Sequence, residues 1–310
     1  MLDNTKFHQP VLLNEVLSVL QPKNQKIYLD CTFGAGGYSC ALLKSANCQV
    51  IACDRDSSVS VFADNLKQHF GDNFRFINIA FSQIQQALAE LNIAKVDGMV
   101  LDIGVSSMQL NYHERGFSFD SEAKLDMRMD RSQKISAYEV INNYSQKQLA
   151  EVIANFGDEP KAYAIAKKIV VSRVQKPIES CIDLANLVRS FYAKNYKTDP
   201  ATKTFQAIRI EVNKELEELT IVLNSALQIL QPKAKLVVVS FHSLEDKIIK
   251  DFFNQHSGKK TTISRYQPQK NIAEVHEFIV PKKLPIIPTQ TELTANPRSR
   301  SAKLRWGEKI

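Results

Sequence analysis

Short apolar runs alternate with amphipathic stretches over the first third of the chain, and that alternation predicts most of its architecture. Lys6 to Leu20 is an opening segment with Val11, Leu12, Val16 and Leu20 at helical spacing. Ile27-Tyr-Leu reads as a strand, followed by a helix that starts near Tyr38. Gln49-Val-Ile-Ala-Cys is a second strand ending at Asp54-Arg-Asp56, and Ser57 or Ser58 is placed to cap a helix carrying Val59, Phe62, Ala63 and Leu66. Phe74-Arg-Phe-Ile-Asn-Ile is a third strand, after which Ser82 is placed to cap a helix with Ile84, Leu88 and Leu91. Val96-Asp-Gly-Met-Val-Leu is a fourth strand, ending at Asp102. A βαβαβαβ series of this kind predicts a parallel sheet with helices on both faces.

The alternation stops after Asp102. Residues 103–135 hold little periodic structure and many Ser, Asp, Arg and Met residues, the expectation for a lid or binding loop. From Ser136 to Tyr196 the pattern is purely helical. Leu149, Val152, Ile153 and Phe156 form one stripe, and Ile165, Ile169 and Val170 form another. Ser180 with Asp183 resembles a capping box ahead of Leu184, Leu187, Val188 and Phe191. Residues 110–200 therefore read as an all-helical domain inserted into a sheet domain made of 1–109 and 201–310. The sheet pattern resumes with a long amphipathic helix, Phe205 to Leu230, ended by Gln231-Pro232. A buried strand at Leu236-Val-Val-Val-Ser-Phe follows, then a helix from Leu244 to Phe253. The tail from Gly258 is rich in Lys and Pro, and Ala302 to Trp306 reads as a last strand.

Length and charge narrow the function. With 310 residues and 44% hydrophobic content the chain can bury a full core, more naturally as two domains than one. It has no apolar run long enough to span a bilayer and no secretory or transit pattern, so it is expected to be soluble and cytoplasmic. The five cysteines are odd in number and contain no C-x-x-C pair, which favours reduced, mostly buried thiols over a disulfide framework or a metal site. A net charge of +7 suits a polyanionic partner.

The candidate chemistry centres on Ile27-Tyr-Leu-Asp-Cys-Thr-Phe-Gly-Ala-Gly-Gly-Tyr-Ser39. Gly34, Gly36 and Gly37 clear side chains from the strand-to-helix turn, so that backbone N–H groups can approach a bound group and φ can turn positive. The dinucleotide spacing is not met, because its third glycine would fall at Ser39. Ligands of an open parallel sheet sit beyond the carboxyl ends of its strands. Here those ends deliver Gly34–Tyr38, Asp54, Phe81, Asp102 and the loop from Ser240. Asp54 follows Gly34 by twenty residues, where a carboxylate accepts from ribose hydroxyls or faces a helix N-terminus. Phe81 suits either an adenine ring or the core. The pattern admits NAD or S-adenosylmethionine. Hydride chemistry usually brings an acid–base pair, and none stands at a matching position. Methyl transfer mainly requires nucleophile, carbon and sulfur held in line, with neither metal nor nucleophilic Cys.

With Asp30–Ser39, Asp102-Ile-Gly-Val-Ser-Ser107 and Ser240-Phe-His-Ser-Leu-Glu-Asp246 in place, the chain resembles the RsmH family nearly end to end. The likeness extends through His8-Gln-Pro-Val-Leu-Leu-Asn-Glu15, Glu114-Arg-Gly-Phe-Ser-Phe119 and Leu125-Asp-Met-Arg-Met-Asp130. It continues through Thr204-Phe-Gln-Ala-Ile-Arg209, Val212-Asn-Lys-Glu-Leu-Glu217 and Asn296-Pro-Arg-Ser-Arg-Ser301. The resemblance implies a Rossmann-like class I methyltransferase fold of mostly parallel sheet. It also implies a reaction between S-adenosylmethionine and the N4 amine of a decoding-centre cytidine in 16S rRNA, cytosine 1402 in the usual rRNA numbering. The implied partner is the small ribosomal subunit rRNA or its assembly intermediate. Carried over by position, the family's cofactor contacts fall on Gly36, Gly37, Tyr38, Asp54, Phe81, Asp102 and Gln109. Tyr38 stands where the family usually has His; the Asp158-Glu-Pro region and Lys247, where Arg is usual, are milder departures.

Within that resemblance Asp102 is expected to orient the cofactor and to polarise the amine, whose lone pair is delocalised into the ring. His242 is expected either to touch the substrate base or to order its loop, and Ser243, Glu245 and Asp246 to cap the next helix. Arg128, Arg131, Lys203, Arg209, Arg298, Arg300 and Arg305 are the candidates to track RNA phosphates. Phe117 and Phe119 suit either base stacking or anchoring of the long loop. The target base has to leave any stack to be methylated. Two other readings stay open: a methyltransferase with a different amine acceptor, and a catalytically silent RNA-binding assembly factor.

Overall fold

The structure is a computed structural model that describes residues 10–193, 196, 198–258 and 276–310. Residues 6–9 of the opening segment, with His8 of its motif, and residues 259–275 of the Lys- and Pro-rich tail lie outside the described residues. The chain divides into two compact units, one formed by Met1–Gly104 and Leu216–Ile310, the other by Val105–Glu215.

The first unit is a seven-stranded sheet in the order β3-β2-β1-β4-β5-β7-β6. Its strands are β1 (Ile27–Asp30), β2 (Gln49–Cys53), β3 (Phe74–Ile77), β4 (Val96–Asp102), β5 (Leu230–Ser240), β6 (Phe278–Ile279) and β7 (Lys303–Lys309). The first five strands are parallel, whereas β7 runs antiparallel to both β5 and β6. Helices α1 (Leu13–Leu20), α2 (Gly37–Ser45), α3 (Ser60–Phe70) and α4 (Ile84–Glu90) follow in chain order. Strand residues Leu29, Ile51, Met99, Leu101, Leu236 and Val238 pack with α4 and two later helices. On the opposite face Tyr28, Val50, Val100 and Val237 are equally buried, and α1, α2 and α3 lie against the strands there. Burial on both faces explains why these strands read as unbroken apolar runs. The result is the Rossmann-like, mostly parallel arrangement with helices on both faces.

The second unit is helical: α5 (Ser107–Asn111), α6 (Ala137–Asn143), α7 (Gln146–Gly157), α8 (Ala162–Gln175), α9 (Cys181–Arg189) and α10 (Ala201–Asn213). Its core gathers Val140, Leu149, Ile153, Ile165, Ile169, Leu184, Val188 and Ile208 with Leu125 and Met127. Ser136, Ser145 and Ser180 cap α6, α7 and α9 through their hydroxyl oxygens, as their positions before the apolar stripes suggest. The remaining helices, α11 (Glu215–Ile229), α12 (Ser243–His256) and α13 (Gln290–Ala295), complete the chain.

Five local expectations are corrected. The helix expected over Phe205–Leu230 is two helices, because Lys214 adopts φ 51°. Buried Asn213 is drawn off the helix line: its Oδ1 accepts from Met129 N–H at 2.8 Å, while its Nδ2 donates to the carbonyls of Met127 and Arg209. Strand β5 begins at Leu230, since Val96 already pairs with Leu230 before the ladder shifts register ahead of Gly98. The turn leading to α3 is capped by Asp56, whose carboxylate accepts from Ser58 N–H at 3.1 Å, and not by either serine; a carboxylate also complements the N-terminal dipole. Ser82 lies within the 3₁₀ turn Phe81–Gln83 that precedes α4 and does not cap it. The stretch expected as a lid or binding loop, residues 103–135, is no loose lid either. Leu125, Met127 and Met129 are buried in the helical core, and Arg115 donates to the carbonyls of Arg128 and Met129.

Candidate active site

The sheet's strand order reverses between β1 and β4, and in parallel sheets this switch opens a crevice at the carboxyl edge. The Gly34–Tyr38 turn leaves β1 on one side of it, and Asp102 leaves β4 on the other. Gly34 (φ 53°) donates its N–H to Asp54 Oδ2 at 2.8 Å. Gly36 (φ 80°) is the N-cap of α2. A Cβ on Gly37 would lie 2.1 Å from Pro10 Cγ, so only glycine allows the opening segment to close over the turn.

Three carboxyl groups stand at the carboxyl ends of the strands around this switch point. Asp30 Oδ2 accepts from Ser39 Oγ at 2.7 Å and from its N–H at 3.1 Å, and burial pushes its pKa up to about 6. Asp54 Oδ1 accepts from Asp56 N–H at 2.9 Å, and burial pushes Asp54 also to about 6, against the two backbone hydrogen bonds it receives. Asp102 is held by its own N–H, which donates to Thr32 Oγ1 at 2.6 Å. Its buried Oδ1 receives no hydrogen bond among the described residues. Burial is the main reason its pKa rises to about 8; the Tyr38 hydroxyl opposes the shift, and the carboxyls of Asp30, Glu245 and Glu292 add to it.

Tyr38 is buried, and its hydroxyl donates to the Val11 carbonyl. The ring thus ties α2 to the opening segment beside Asp102. A second tie, which the sequence does not announce, crosses the chain: Leu12 N–H donates to Glu292 Oε1 of α13 at 2.7 Å. Phe81 lies half-buried at the end of β3, packed against the sheet core.

On the other side of Asp102, the loop after β5 is organised by Glu245. This buried carboxylate accepts from the N–H groups of Phe241 and His242 at 2.8 and 3.2 Å. His242 is the N-cap of α12: its Nδ1 accepts from Glu245 N–H at 3.4 Å, and its Nε2 lies 2.9 Å from Glu245 Oε1. Loop ordering is therefore the role the geometry shows for His242, and Ser243 is not the cap. Asp246 holds Arg305 at 2.6 Å and Lys303 at 3.1 Å, so Arg305 is committed to an internal ion pair.

In the helical unit, Gln109 Oε1 accepts from Ser106 N–H at 3.0 Å and closes the capping box of α5. Arg128 is bound to Asp126 at 2.6 Å, Arg209 pairs with Glu215 through two bonds of 2.8 Å, and Lys203 donates to the Asp158 carbonyl at 2.7 Å. Arg131 is exposed. Phe117 and Phe119 both pack on the helical core, with the Phe119 ring edge-on to Phe205 at 5.9 Å; of their two expected roles the structure shows anchoring. Arg298 and Arg300 lie in the 3₁₀ turn before β7, in the first unit.

The crevice has the characters of a cofactor site: a turn stripped of side chains and a buried carboxylate oxygen that receives no hydrogen bond among the described residues. An acid-rich, desolvated wall of this kind favours a cationic ligand, because a nearby positive charge favours the ionised form of carboxyls whose pKa burial has raised.

Comparison with known proteins identifies the family. The sequence profile of the MraW methylase family matches residues 5–310. The chain belongs to that family. A protein of Orientia tsutsugamushi (strain Ikeda) named ribosomal RNA small subunit methyltransferase H is 47% identical over 312 residues, covering 98% of each chain. Proteins of the same name from Rickettsia bellii (strain RML369-C) and Ehrlichia chaffeensis are 48% and 47% identical, covering 98% and 96% of this chain and 99% and 98% of theirs. The resemblance to RsmH carried by the ordered motifs is thereby upheld. Thr32, which holds Asp102 N–H, has a role that its motif does not point to, and Glu245, expected only as a helix cap, also organises the loop after β5.

Proposed function

We propose that this chain transfers the methyl group of S-adenosylmethionine to the N4 amine of a cytidine in small-subunit ribosomal RNA, the decoding-centre cytidine that the RsmH resemblance implies. One observation carries the reading. Asp102 presents a buried oxygen that receives no hydrogen bond among the described residues, at the switch point of a sheet whose adjoining turn is cleared of side chains. Membership of the methylase family and the names of the relatives support the choice of reaction and acceptor.

When bound, S-adenosylmethionine supplies an already activated methyl group. Transfer would form one N–C bond at the amine and break the sulfonium S–C bond, the electron pair going to sulfur and one amine proton to water. Gly36 and Gly37 let backbone N–H groups approach the methionine portion, Asp54 stands where ribose hydroxyls would donate, and Phe81 offers a face to the adenine. Asp102 orients the cation and accepts from the amine, helping the nitrogen to pyramidalise as it attacks. Holding the reactants in line contributes up to about 7–11 kcal/mol in favourable cases. The helical unit serves substrate recognition, with Arg131 exposed there and Arg298 and Arg300 on the sheet unit for RNA phosphates.

Incubation of the purified protein with labelled S-adenosylmethionine and small-subunit particles tests the proposal. Label on N4 of a single cytidine supports it. Label on another acceptor, or binding of RNA without transfer, overturns it in favour of a different methyltransferase or a silent assembly factor.

A further inference from the structure

A second feature of the carboxyl edge lies beyond Asp102, on the side away from the glycine turn. A cavity of about 350 Å³ opens there, lined by Phe241 and His242 after β5, by Ile287, Pro288 and Leu293 around the start of α13, and by Arg300 and Lys303 at the approach to β7. That volume is at the low end of the range for small-ligand pockets, about 300–1,000 Å³. No carboxylate is among the described lining residues. Ile287 is 64% exposed, an unusual placement for a large aliphatic side chain. Arg300 is exposed and forms no ion pair among the described residues, unlike its neighbours Lys303 and Arg305, which Asp246 neutralises. An aromatic and aliphatic lining with one free guanidinium at its rim fits a planar base attached to a phosphate.

The ladders place the cavity relative to the crevice. Asp102 pairs with Val239 across β4 and β5, and Ser240 pairs with Lys303 across β5 and β7. Two strand spacings of about 4.8 Å put Lys303 roughly 10 Å from Asp102. The Phe241 ring meanwhile reaches back to Gly104, its Cδ2 lying 3.1 Å from where a Cβ would stand. The Lys303 end of the cavity is therefore set back from Asp102, while its Phe241 side is continuous with the loop that follows Asp102. A base taken out of its stack for chemistry is commonly selected through the nucleotides on either side of it.

We propose that this cavity holds a nucleotide flanking the target cytidine, its base against Phe241, Pro288 and Ile287 and its phosphate on Arg300. The inference rests on the RNA methyl-transfer reading above and adds to it a subsite that selects sequence context.

The test uses the full chain and a synthetic single-stranded RNA containing the target cytidine and its neighbours, with binding followed by fluorescence anisotropy over a series of salt concentrations. Arg300→Ala is expected to weaken RNA binding about tenfold and to lower the salt slope by about one. Ile287→Ser, an exposed substitution that the fold tolerates, is expected to weaken binding several-fold without changing the slope. Both should keep the parental affinity for S-adenosylmethionine in calorimetry, since the glycine turn lies on the opposite side of Asp102. A photoreactive base placed next to the cytidine should cross-link to Phe241 or the Ile287-Pro288 pair. Parental affinity and slope in both variants, or cross-links confined to other segments, would overturn the subsite while RNA methylation by the parent protein still stood. A parent protein that neither binds nor methylates RNA would overturn the underlying reading and the subsite with it.

Discussion

The two halves of the sheet's carboxyl edge differ in charge, burial and the way their side chains are used. Around β1, β2 and β4 the edge is acidic and desolvated: Asp30, Asp54 and Asp102 are raised to about 6, 6 and 8 because burial penalises their charged forms. Around β5 and β7 it is basic and open, with Asp246 held below the usual carboxylate range, despite partial burial, by Arg305 and Lys303. The acids of the first half are spent on backbone N–H groups and on one another's repulsion, which suits a cation arriving from solution. The cations of the second half are partly neutralised from within, leaving Arg300 for an anion. On the function proposed above, one edge would separate a cationic donor from a polyanionic acceptor, with Asp102 at the junction.

Removing the junction carboxylate should have the largest effect. Asp102→Asn keeps the shape and deletes the charge, and turnover at saturating cofactor should fall by about 10²–10³-fold, the usual loss when a positioned polar group at the reacting centre is removed. The fold should survive, with a melting temperature at or above the parent's, because a buried group that resists ionisation has been replaced by a neutral one. An unchanged rate would remove Asp102 from the chemistry and the contrast between the two halves with it.

Gly37→Ala attacks the acidic half sterically. Its Cβ would stand 2.1 Å from Pro10 Cγ and 3.0 Å from Cδ, so either the opening segment or the turn has to move. Overpacking of this kind costs about 1–3 kcal/mol, readable as a lower urea midpoint, and cofactor affinity in calorimetry should drop about tenfold. Parental values for both would mean that the closure of Pro10 over the turn has no bearing on the site.

The acids also predict a pH dependence. An unfolded Asp releases its proton near pH 4, whereas folded Asp102 keeps it until about pH 8. Across that window the folded state binds more protons than the unfolded one, so the apo protein should lose stability as pH rises and level off above the window. Asp30, Asp54, Glu245, Glu292 and the Tyr38 hydroxyl share the neighbourhood; Asp30 and Asp54 contribute in the same direction up to about pH 6. S-adenosylmethionine, being cationic, should raise the melting temperature more at high pH than at low, and its neutral thioether product should show a flatter profile. Asp102→Asn should reduce the slope. Equal ligand-induced shifts at both ends of the range would show that the acidic wall does not respond to charge.

How much of this was legible beforehand depends on whether a local pattern or a distant contact decides the feature. Strands β1 to β4 announced themselves as apolar runs because both faces are buried, and Gly34, Gly36, Gly37, Asp54 and Asp102 follow from where those strands end. The division into α10 and α11 was not readable: the apolar spacing from Phe205 to Leu230 runs on through Lys214, and the break comes from Asn213 bonding to Met127 and Met129, more than eighty positions away. The same holds for Glu292, which meets Leu12 N–H across 280 positions. The basic residues show the limit of composition. Arg128 and Arg209 look like phosphate ligands in the sequence and turn out to be paired with Asp126 and Glu215.

Tyr38 offers the finest test of the acidic half, since the RsmH resemblance implies a His at its position. Its hydroxyl has two neighbours of different kind, the Val11 carbonyl to which it donates and the Asp102 carboxyl beside it. Tyr38→Phe deletes one oxygen and keeps the ring. Losing the bond to Val11 should cost about 1 kcal/mol of stability, a small but measurable fall in the denaturation midpoint. Losing the hydroxyl beside Asp102 removes the one neighbour that favours its ionised form, so the pH at which cofactor affinity rises should move upward. Tyr38→His introduces a group that is itself titratable and shorter than the phenol, and should restore neither contact with Val11 nor the parental pH midpoint. A stability loss with an unmoved pH midpoint in Tyr38→Phe would make Tyr38 a pure latch for the opening segment, and the tuning of Asp102 would then belong to its burial and to the surrounding carboxyls alone.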